Sequence, residues 1–352
     1  MKSITYLQTL DKDSLIYVDV RSPKEFTEST IPGAVNIPIF DNEERDEIGT
    51  IYNQESQMKA RMLGMELLAP KLPRLVKEIR TLTKKYKYVV LFCARGGLRS
   101  ESIGVITELI GVKLYKLEGG YKTYRHFILD QLEDYKLKSD LLVIHGNTGV
   151  GKTDLLYSLK EKGVPIIDLE GLANHRGSAF GSIGLGNPTN QKQFDSLLWE
   201  RLEELRDAEL IAVEAESNRI GMSVLPDFFL QAMEDGIHIL IESSLNVRVN
   251  RIYGEYAADY EKDPDAFVDR WLESLTAIKK YIIRKIGKKG YNRLVKLSKA
   301  GKLKQVIKTL LTKYYDPLYE YSQSQHDNFV LRIDSDDLPE INDRIIDFIE
   351  SY

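Results

Sequence analysis

The stretch LLVIHGNTGVGKT, residues 141–153, decides the fold of the second half of the chain. LLVIH is apolar enough to be a buried strand, and GNTGVGKT fits G-x-x-x-x-G-K-[ST] and opens into a helix. Strand, glycine-rich loop and helix form the setting this motif requires. The glycines let backbone N–H groups converge on phosphate oxygens, and the helix N-terminus adds partial positive charge. Gly146, Asn147, Thr148, Gly149, Val150, Gly151, Lys152 and Thr153 are therefore expected to bind phosphate or diphosphate. Lys152 would reach the terminal phosphates, and Thr153 could hold magnesium. ATP or GTP is the generic ligand, but the same cradle holds any diphosphate.

Outward from this loop, apolar runs at 164–169, 210–213, 237–241 and 329–335 read as further strands, and 338–352 as a closing amphipathic helix. The spacing predicts a parallel α/β domain over 138–352. Its strand LIAV ends in Glu214, followed by Glu216, Ser217 and Arg219 in EAESNRIG. A carboxylate at a strand end beside a phosphate loop can order a metal-bound water, and a solvated acidic turn is the plainer alternative. HRGSAFG, 175–181, gathers His175, Arg176, Gly177 and Ser178. It offers an acid or base, an anion-binding cation and permissive backbone, or else it is an ordinary surface loop.

Inside this domain, about 255–325 reads as a basic helical insertion. Between Lys279 and Lys313 stand thirteen Lys or Arg residues and no Asp or Glu. Lys279, Lys280, Arg284, Lys285, Lys288, Lys289, Arg293 and Lys296 are the candidate contacts to an RNA phosphate backbone, with Tyr281 and Tyr291 placed to stack bases. A solvated helix face is the alternative, although ordinary surfaces mix both signs of charge.

In the first half, 14–20 (SLIYVDV) and 88–93 (YVVLFC) read as strands, 58–84 as helical, and 31–38 (IPGAVNIP) as a turn. These predict a small α/β domain over 1–132, closed by a polar linker at 131–140 (QLEDYKLKSD). Cys93 ends a strand and is followed by Ala94, Arg95, Gly96, Gly97, Leu98, Arg99 and Ser100. Arg95 and Arg99 would favour a thiolate, while Gly96, Gly97 and Ser100 would let the loop cradle its charge. That arrangement suits attack on sulfur, selenium or phosphorus. A buried packing cysteine is the other reading, and it leaves the run Arg-Gly-Gly-Leu-Arg unexplained.

VDVRSPKEF (18–26), IPGAVNIP and LEGGY (117–121), taken with this loop, resemble the rhodanese family over most of 1–130. The resemblance implies a domain that carries sulfur or selenium on the loop cysteine, the role Cys93 takes by position. Five residues separate Cys93 from Arg99, a spacing also found in rhodanese-fold and tyrosine phosphatases. Phe92 stands where many of those phosphatases place histidine, so sulfur or selenium chemistry ranks first.

Across both domains, DNEERDEIGTIYNQ (41–54), CARGGLRS, EGGYKTYR (118–125), GNTGVGKT, HRGSAFG and EAESNRIG together resemble the tRNA 2-selenouridine synthase family. GNPTNQKQF (186–194) departs from the family pattern, which is richer there in glutamine and serine. The resemblance implies replacement of sulfur by selenium in wobble 2-thiouridine of tRNA. Selenophosphate and geranyl diphosphate would be co-substrates, with an S-geranylated intermediate and a selenophosphate-producing enzyme as a partner. By the same resemblance Gly146 to Thr153 would hold the diphosphate, His175 and Arg176 would line the transfer site, and Cys93 would handle selenium. The rival reading is a P-loop ATPase or small-molecule kinase with a regulatory rhodanese or phosphatase-like domain, suggested by the kinase-like run LNVRVNRIYGEY (245–256).

Composition sets outer bounds on these readings. At 352 residues and 43% hydrophobic content the chain can bury two cores. A formal charge of -4 gives no global basic signature, and one cysteine cannot form an intramolecular disulfide. MKSITYLQTL lacks the apolar run of a signal peptide, and no apolar stretch approaches the roughly 20 residues a membrane span needs. The expectation is a cytoplasmic monomer with no membrane role.

Overall fold

The computed structural model describes residues 1–318, 328–334, 336 and 338–351. Parts of three expected elements fall outside these: 319–325 of the basic segment, 335 of the late strand and 352 of the closing helix. The chain forms two compact units, Met1–Asp134 with Lys192–Trp199, and Tyr135–Gln191 with Glu200–Tyr352.

The first unit holds a parallel five-stranded sheet made of β1 (Lys2–Ile4), β2 (Leu15–Asp19), β3 (Val35–Asn36), β4 (Tyr88–Phe92) and β5 (Tyr115–Leu117), in the order β1-β5-β4-β2-β3. The central β4 is buried from Val89 to Phe92 on both faces, which is why its sequence is an unbroken apolar run and not an alternating one. Helices Leu72–Thr83 and Leu98–Leu109 supply Leu75, Ile79 and Ile103 to the same core. The helical stretch expected over 58–84 is two helices, Gln57–Leu68 and Leu72–Thr83, divided by a 3-10 turn, Ala69–Lys71. Pro70 and Pro73 each lack an N–H donor, so the chain restarts its helix there. Helix Gly120–Glu133 runs into the stretch read as a linker, because Ile128 and Leu132 give it a buried face. Irregular backbone begins only at Asp134.

The second unit's parallel sheet runs β12-β11-β6-β8-β7, from β6 (Asp140–His145), β7 (Ile166–Ile167), β8 (Leu210–Glu214), β11 (Ile237–Glu242) and β12 (Leu331–Asp334). A small antiparallel pair, β9 (Arg219–Ile220) and β10 (Ser223–Val224), lies apart from it. The strand expected over 164–169 shrinks to Ile166–Ile167. Asp168 accepts a hydrogen bond from Gly171 N at 2.8 Å and so caps helix Leu169–Ala173, which pulls Leu169 out of the strand.

The insertion is a helical layer made of Leu245–Lys262, Pro264–Ala277, Lys279–Lys299, Leu303–Leu310 and the π-helical turn Leu311–Tyr315. It has its own core, in which Phe267, Trp271, Leu275, Ile282, Leu294 and Val306 are buried. Helix Lys279–Lys299 kinks at Gly287, whose φ of 73° breaks the helical path. Among the described residues no helix is long and apolar enough to cross a membrane.

Candidate active sites

Cys93 leaves the carboxyl end of β4 and is clamped by the LEGGY turn. Tyr121 N donates to Cys93 O, and Lys122 N to Ala94 O, each at 2.9 Å. Gly120 makes the clamp feasible: at φ 60° any Cβ would collide with Cys93 O and Gly96 N. Cys93 is 3% exposed and belongs to the buried apolar cluster of this unit, and its sulfur also has polar neighbours. Ser100 Oγ donates to Sγ at 3.3 Å, and the thiol faces Gly97 O at 3.8 Å. Gly97 is the N-cap of helix Leu98–Leu109, so the positive end of that helix opens at the loop.

The two loop arginines part company. Arg95 is exposed, whereas Arg99 is partly buried and forked onto Glu25, with Nη1 to Oε2 at 2.6 Å and Nη2 to Oε1 at 3.2 Å. Burial opposes ionisation of both partners, but their hydrogen bonding and mutual attraction outweigh it. Glu25 is held below the usual carboxylate range and Arg99 above its own, with the Cys93 sulfur adding to the hold on Arg99. Beneath them Arg21 bonds Asp19 at 2.6 Å, donates to Ser29 O and lies 4.2 Å from the Tyr121 ring centre. A hydroxyl donor, a helix terminus and a fixed guanidinium are thus gathered around this loop. A cysteine used only for packing would not require them.

The phosphate loop follows β6 in the middle of the second sheet, with Gly151 as N-cap of helix Lys152–Glu161. Two arginines on helix Leu245–Lys262 hold its carbonyls outward. Arg248 Nε donates to Thr148 O at 2.9 Å while its guanidinium pairs with Asp316. Arg251 donates to Gly149 O at 3.1 Å and also to Val150 O. Tying these carbonyls back keeps their negative ends from facing an anion held at the loop. Lys152 Nζ reaches Gly146 O at 3.2 Å.

A cavity of about 350 Å³ opens at this loop. One wall is polar and carries Lys152, Thr153, Asp168, Glu170, Glu214 and Glu216. The other is built from Phe180, Ile252, Tyr256, Trp271, Leu310 and Leu311, most of them from the helical layer. Glu170, Glu214 and Glu216 offer oxygens that all lie within 4.8 Å of one another. Burial first, then the charges of Glu214 and Glu216, push Glu170 up to about 9. Burial likewise lifts Glu216 to about 7, and Glu214 is raised for the same reason.

Of the candidate transfer residues, Arg176, Gly177, Ser178, Glu214 and Glu216 line this cavity. His175, Ser217 and Arg219 do not. The His175 ring packs against Gly181 and Gly221, and its Nδ1 is buried with no hydrogen-bond partner. Ser217 Oγ donates to Arg219 O at 2.9 Å, and the Arg219 side chain is exposed in β9. Loop Asn147 donates to Asp316 at 3.4 Å.

Sequence reasoning missed Glu25, Glu170, Arg248 and Arg251 as site residues. Glu25 and Glu170 each lie a few residues beyond a strand end, and the two arginines share one helix face at i, i+3, so the signal was there to find. Trp271 and Leu311 carried none, because their periodicity is that of any core residue.

Lys279, Lys280, Arg284, Lys285, Lys288, Lys289, Arg293 and Lys296 are all exposed, and among the described residues none forms an ion pair. The opposite side of the helix buries Ile282, Tyr291 and Leu294. Tyr281 is exposed, whereas Tyr291 is only 7% exposed, with Lys279 Nζ 5.4 Å from its ring centre. That burial removes Tyr291 from the stacking role expected of it.

Residues 4–127 match the rhodanese-like domain family, and residues 139–346 match the family described as the tRNA 2-selenouridine synthase AAA domain. The architecture is thus a rhodanese-like domain followed by a P-loop domain with a helical insertion. Among similar proteins, the tRNA 2-selenouridine synthase of Pseudomonas fluorescens is 32% identical over 87% of this chain and 88% of its own length. That of Pseudomonas syringae pv. tomato is 34% identical over 88% of each chain. That of Shewanella oneidensis is 33% identical over 89% of this chain and 88% of its own. With both domains matched in order and the resemblance sustained along nearly the whole length, the chain belongs to the tRNA 2-selenouridine synthase family.

Proposed function

We propose that this protein replaces sulfur by selenium in wobble 2-thiouridine of tRNA, first geranylating the sulfur with geranyl diphosphate and then delivering selenium from selenophosphate. The observation that carries the reading is the two-sided cavity. Its polar wall begins at a phosphate loop, and its other wall is aromatic and aliphatic. An alkyl diphosphate matches both walls.

In the first step the thiocarbonyl sulfur attacks C1 of the geranyl group. The C1–O bond breaks, diphosphate leaves, and the uracil ring loses its N3 proton. Lys152 and the loop amides stabilise the charge that develops on the departing diphosphate. Alkylation turns the sulfur into a leaving group, so a selenium nucleophile can add at C2 and geranyl thiol can depart. The selenium of selenophosphate would add at C2 as geranyl thiol departs, and water would then cleave the Se–P bond to release phosphate; Cys93, with Ser100, Arg99 and the helix terminus, would handle this donor. The exposed cations of Lys279–Lys299 would hold the tRNA backbone.

Nucleoside mass spectrometry on tRNA from a deletion strain carrying each variant tests the scheme. Cys93→Ser should accumulate geranylated nucleoside and lose the selenated one, and Lys152→Ala should lose both. Unchanged nucleosides in both variants, or rapid ATP hydrolysis without tRNA, would overturn it.

A further inference from the structure

The run DNEERDEIGTIYNQ, residues 41–54, takes no part in the proposed reaction, yet several of its polar residues serve to place one side chain. Asp41 caps helix Asn42–Gln54 and shares a capping box with Glu44, each bond at 2.9 Å. Glu44 also pairs with Lys71, which ties the first turn to the 3-10 turn Ala69–Lys71. Asn42 Oδ1 accepts from Lys24 N at 2.9 Å and so fixes the start of the helix to helix Pro23–Glu28. These contacts set Arg45 beside Glu25, the carboxylate that holds Arg99 at the cysteine loop. Gly49, one turn on, leaves the guanidinium room: a Cβ there would stand 3.3 Å from Arg45 Nη1.

Glu25 does not need this second arginine. Arg99 takes both carboxylate oxygens, and Ser22 N donates to Oε2 at 3.3 Å. Arg45 Nε stands 3.7 Å from Oε2, outside hydrogen-bonding distance. Its Nη1 donates at 3.2 Å to Asp46, whose side chain is 69% exposed, so water screens that pair. Arg45 Nη2 has no partner among the described residues, and the side chain is 43% exposed. The guanidinium is thus held in place by its helix, charged at every working pH, and left with donors to spare. Paired N–H donors in a fixed plane suit an oxyanion such as a phosphoryl group.

We propose that Arg45 binds the phosphoryl oxygens of the selenium donor at the mouth of the cysteine loop, so that helix Asn42–Gln54 selects a phosphorylated donor. This role rests on the reading that Cys93 handles selenophosphate. The two arginines divide the work: Arg99, committed to Glu25, keeps its place by the sulfur, while Arg45 offers its remaining donors to a tetrahedral oxyanion. The same contact would hold the phosphate released when the Se–P bond is cleaved.

Inorganic phosphate is the probe, read at Cys93, the one cysteine of the chain. At constant ionic strength, phosphate should slow alkylation of Cys93 in the full chain. The concentration for half protection should rise about tenfold in Arg45→Gln and recover in part in Arg45→Lys. Anionic iodoacetate should also lose rate relative to neutral iodoacetamide in Arg45→Gln. Loosening of the loop would leave that ratio unmoved, since both reagents meet the same thiol. Lys59→Gln removes the same charge from an exposed position on the neighbouring helix Gln57–Leu68 and should match the wild type in both measurements. Near-UV circular dichroism checks folding, and Arg45→Ala is the second probe if Arg45→Gln is not folded. Wild-type values in every folded Arg45 variant would overturn the site, as would equal losses in Lys59→Gln. Absence of protection by phosphate would also overturn it, and protection by tRNA alone would place an RNA backbone there instead. No geranyl or selenium transfer is measured, so failure here is distinct from failure of the proposed activity, which the nucleosides of Cys93→Ser and Lys152→Ala decide.

Discussion

At the scale of single residues, the cysteine loop depends on a carboxylate from a helix distant in sequence, Pro23–Glu28. Glu25 opens the second helix of the first unit with a Ser22 capping box and spends its two oxygens on Arg99. Without Glu25 the guanidinium would be free to swing into water, and the sulfur would lose a fixed positive neighbour. Glu25→Gln is therefore expected to slow alkylation of Cys93 by iodoacetamide at a fixed pH, while Arg95→Gln, at an exposed position, leaves the rate nearly unchanged. Equal rates for wild type and Glu25→Gln would remove Glu25 from this role. His175 makes a different residue-scale prediction. Burial holds its pKa below the ordinary 6.5, so the fold prefers the neutral ring. The unfolded chain takes up that proton near 6.5 and the folded chain only at lower pH. The contribution to stability is thus full above 6.5 and is lost as pH falls through the folded value. In His175→Gln the decline of melting temperature from about pH 7.5 to about pH 5 should be shallower than in wild type. A steeper or equal decline would contradict the buried neutral ring.

At the scale of elements, helix Lys279–Lys299 has two faces with separate duties. Its apolar face packs into the helical layer, while its cations stand in solvent with no anionic partner among the described residues. Like charges so arranged repel one another and destabilise an isolated helix, a cost that a bound polyanion would offset. Reversing Lys288, Lys289 and Arg293 to glutamate should weaken tRNA binding and reduce the slope of log affinity against log salt by about 0.7 to 0.9 for each phosphate the helix no longer neutralises. Filter binding across a salt series measures this, and an unchanged slope would exclude the helix from the interface. The kink at Gly287 was not legible beforehand. Gly287 lies among helix formers, and only its observed φ shows that the axis breaks. Short strands were equally hidden, since two or three residues such as Val35–Asn36 carry no periodicity.

At the scale of the whole molecule, the sequence by itself determined the two α/β halves, the cysteine loop and the phosphate loop. Each of these is a local pattern: a long apolar run for a strand buried on both faces, then glycines at spacings that only a tight anion-binding turn requires. The basic helix was legible for the same reason, because charge along one stretch needs no fold to be counted. Tertiary structure alone decided which distant residues meet these loops. Glu25 reaches Arg99, Arg248 and Arg251 hold the phosphate loop from 100 and 102 residues downstream, and Glu170 comes to Glu214 from a different strand end. It also turned His175 away from the cavity and brought Trp271 and Leu311 into its wall. Burial and long-range juxtaposition arise from how elements pack, and packing is a property of surfaces brought together in space, which the order of residues along one element does not display.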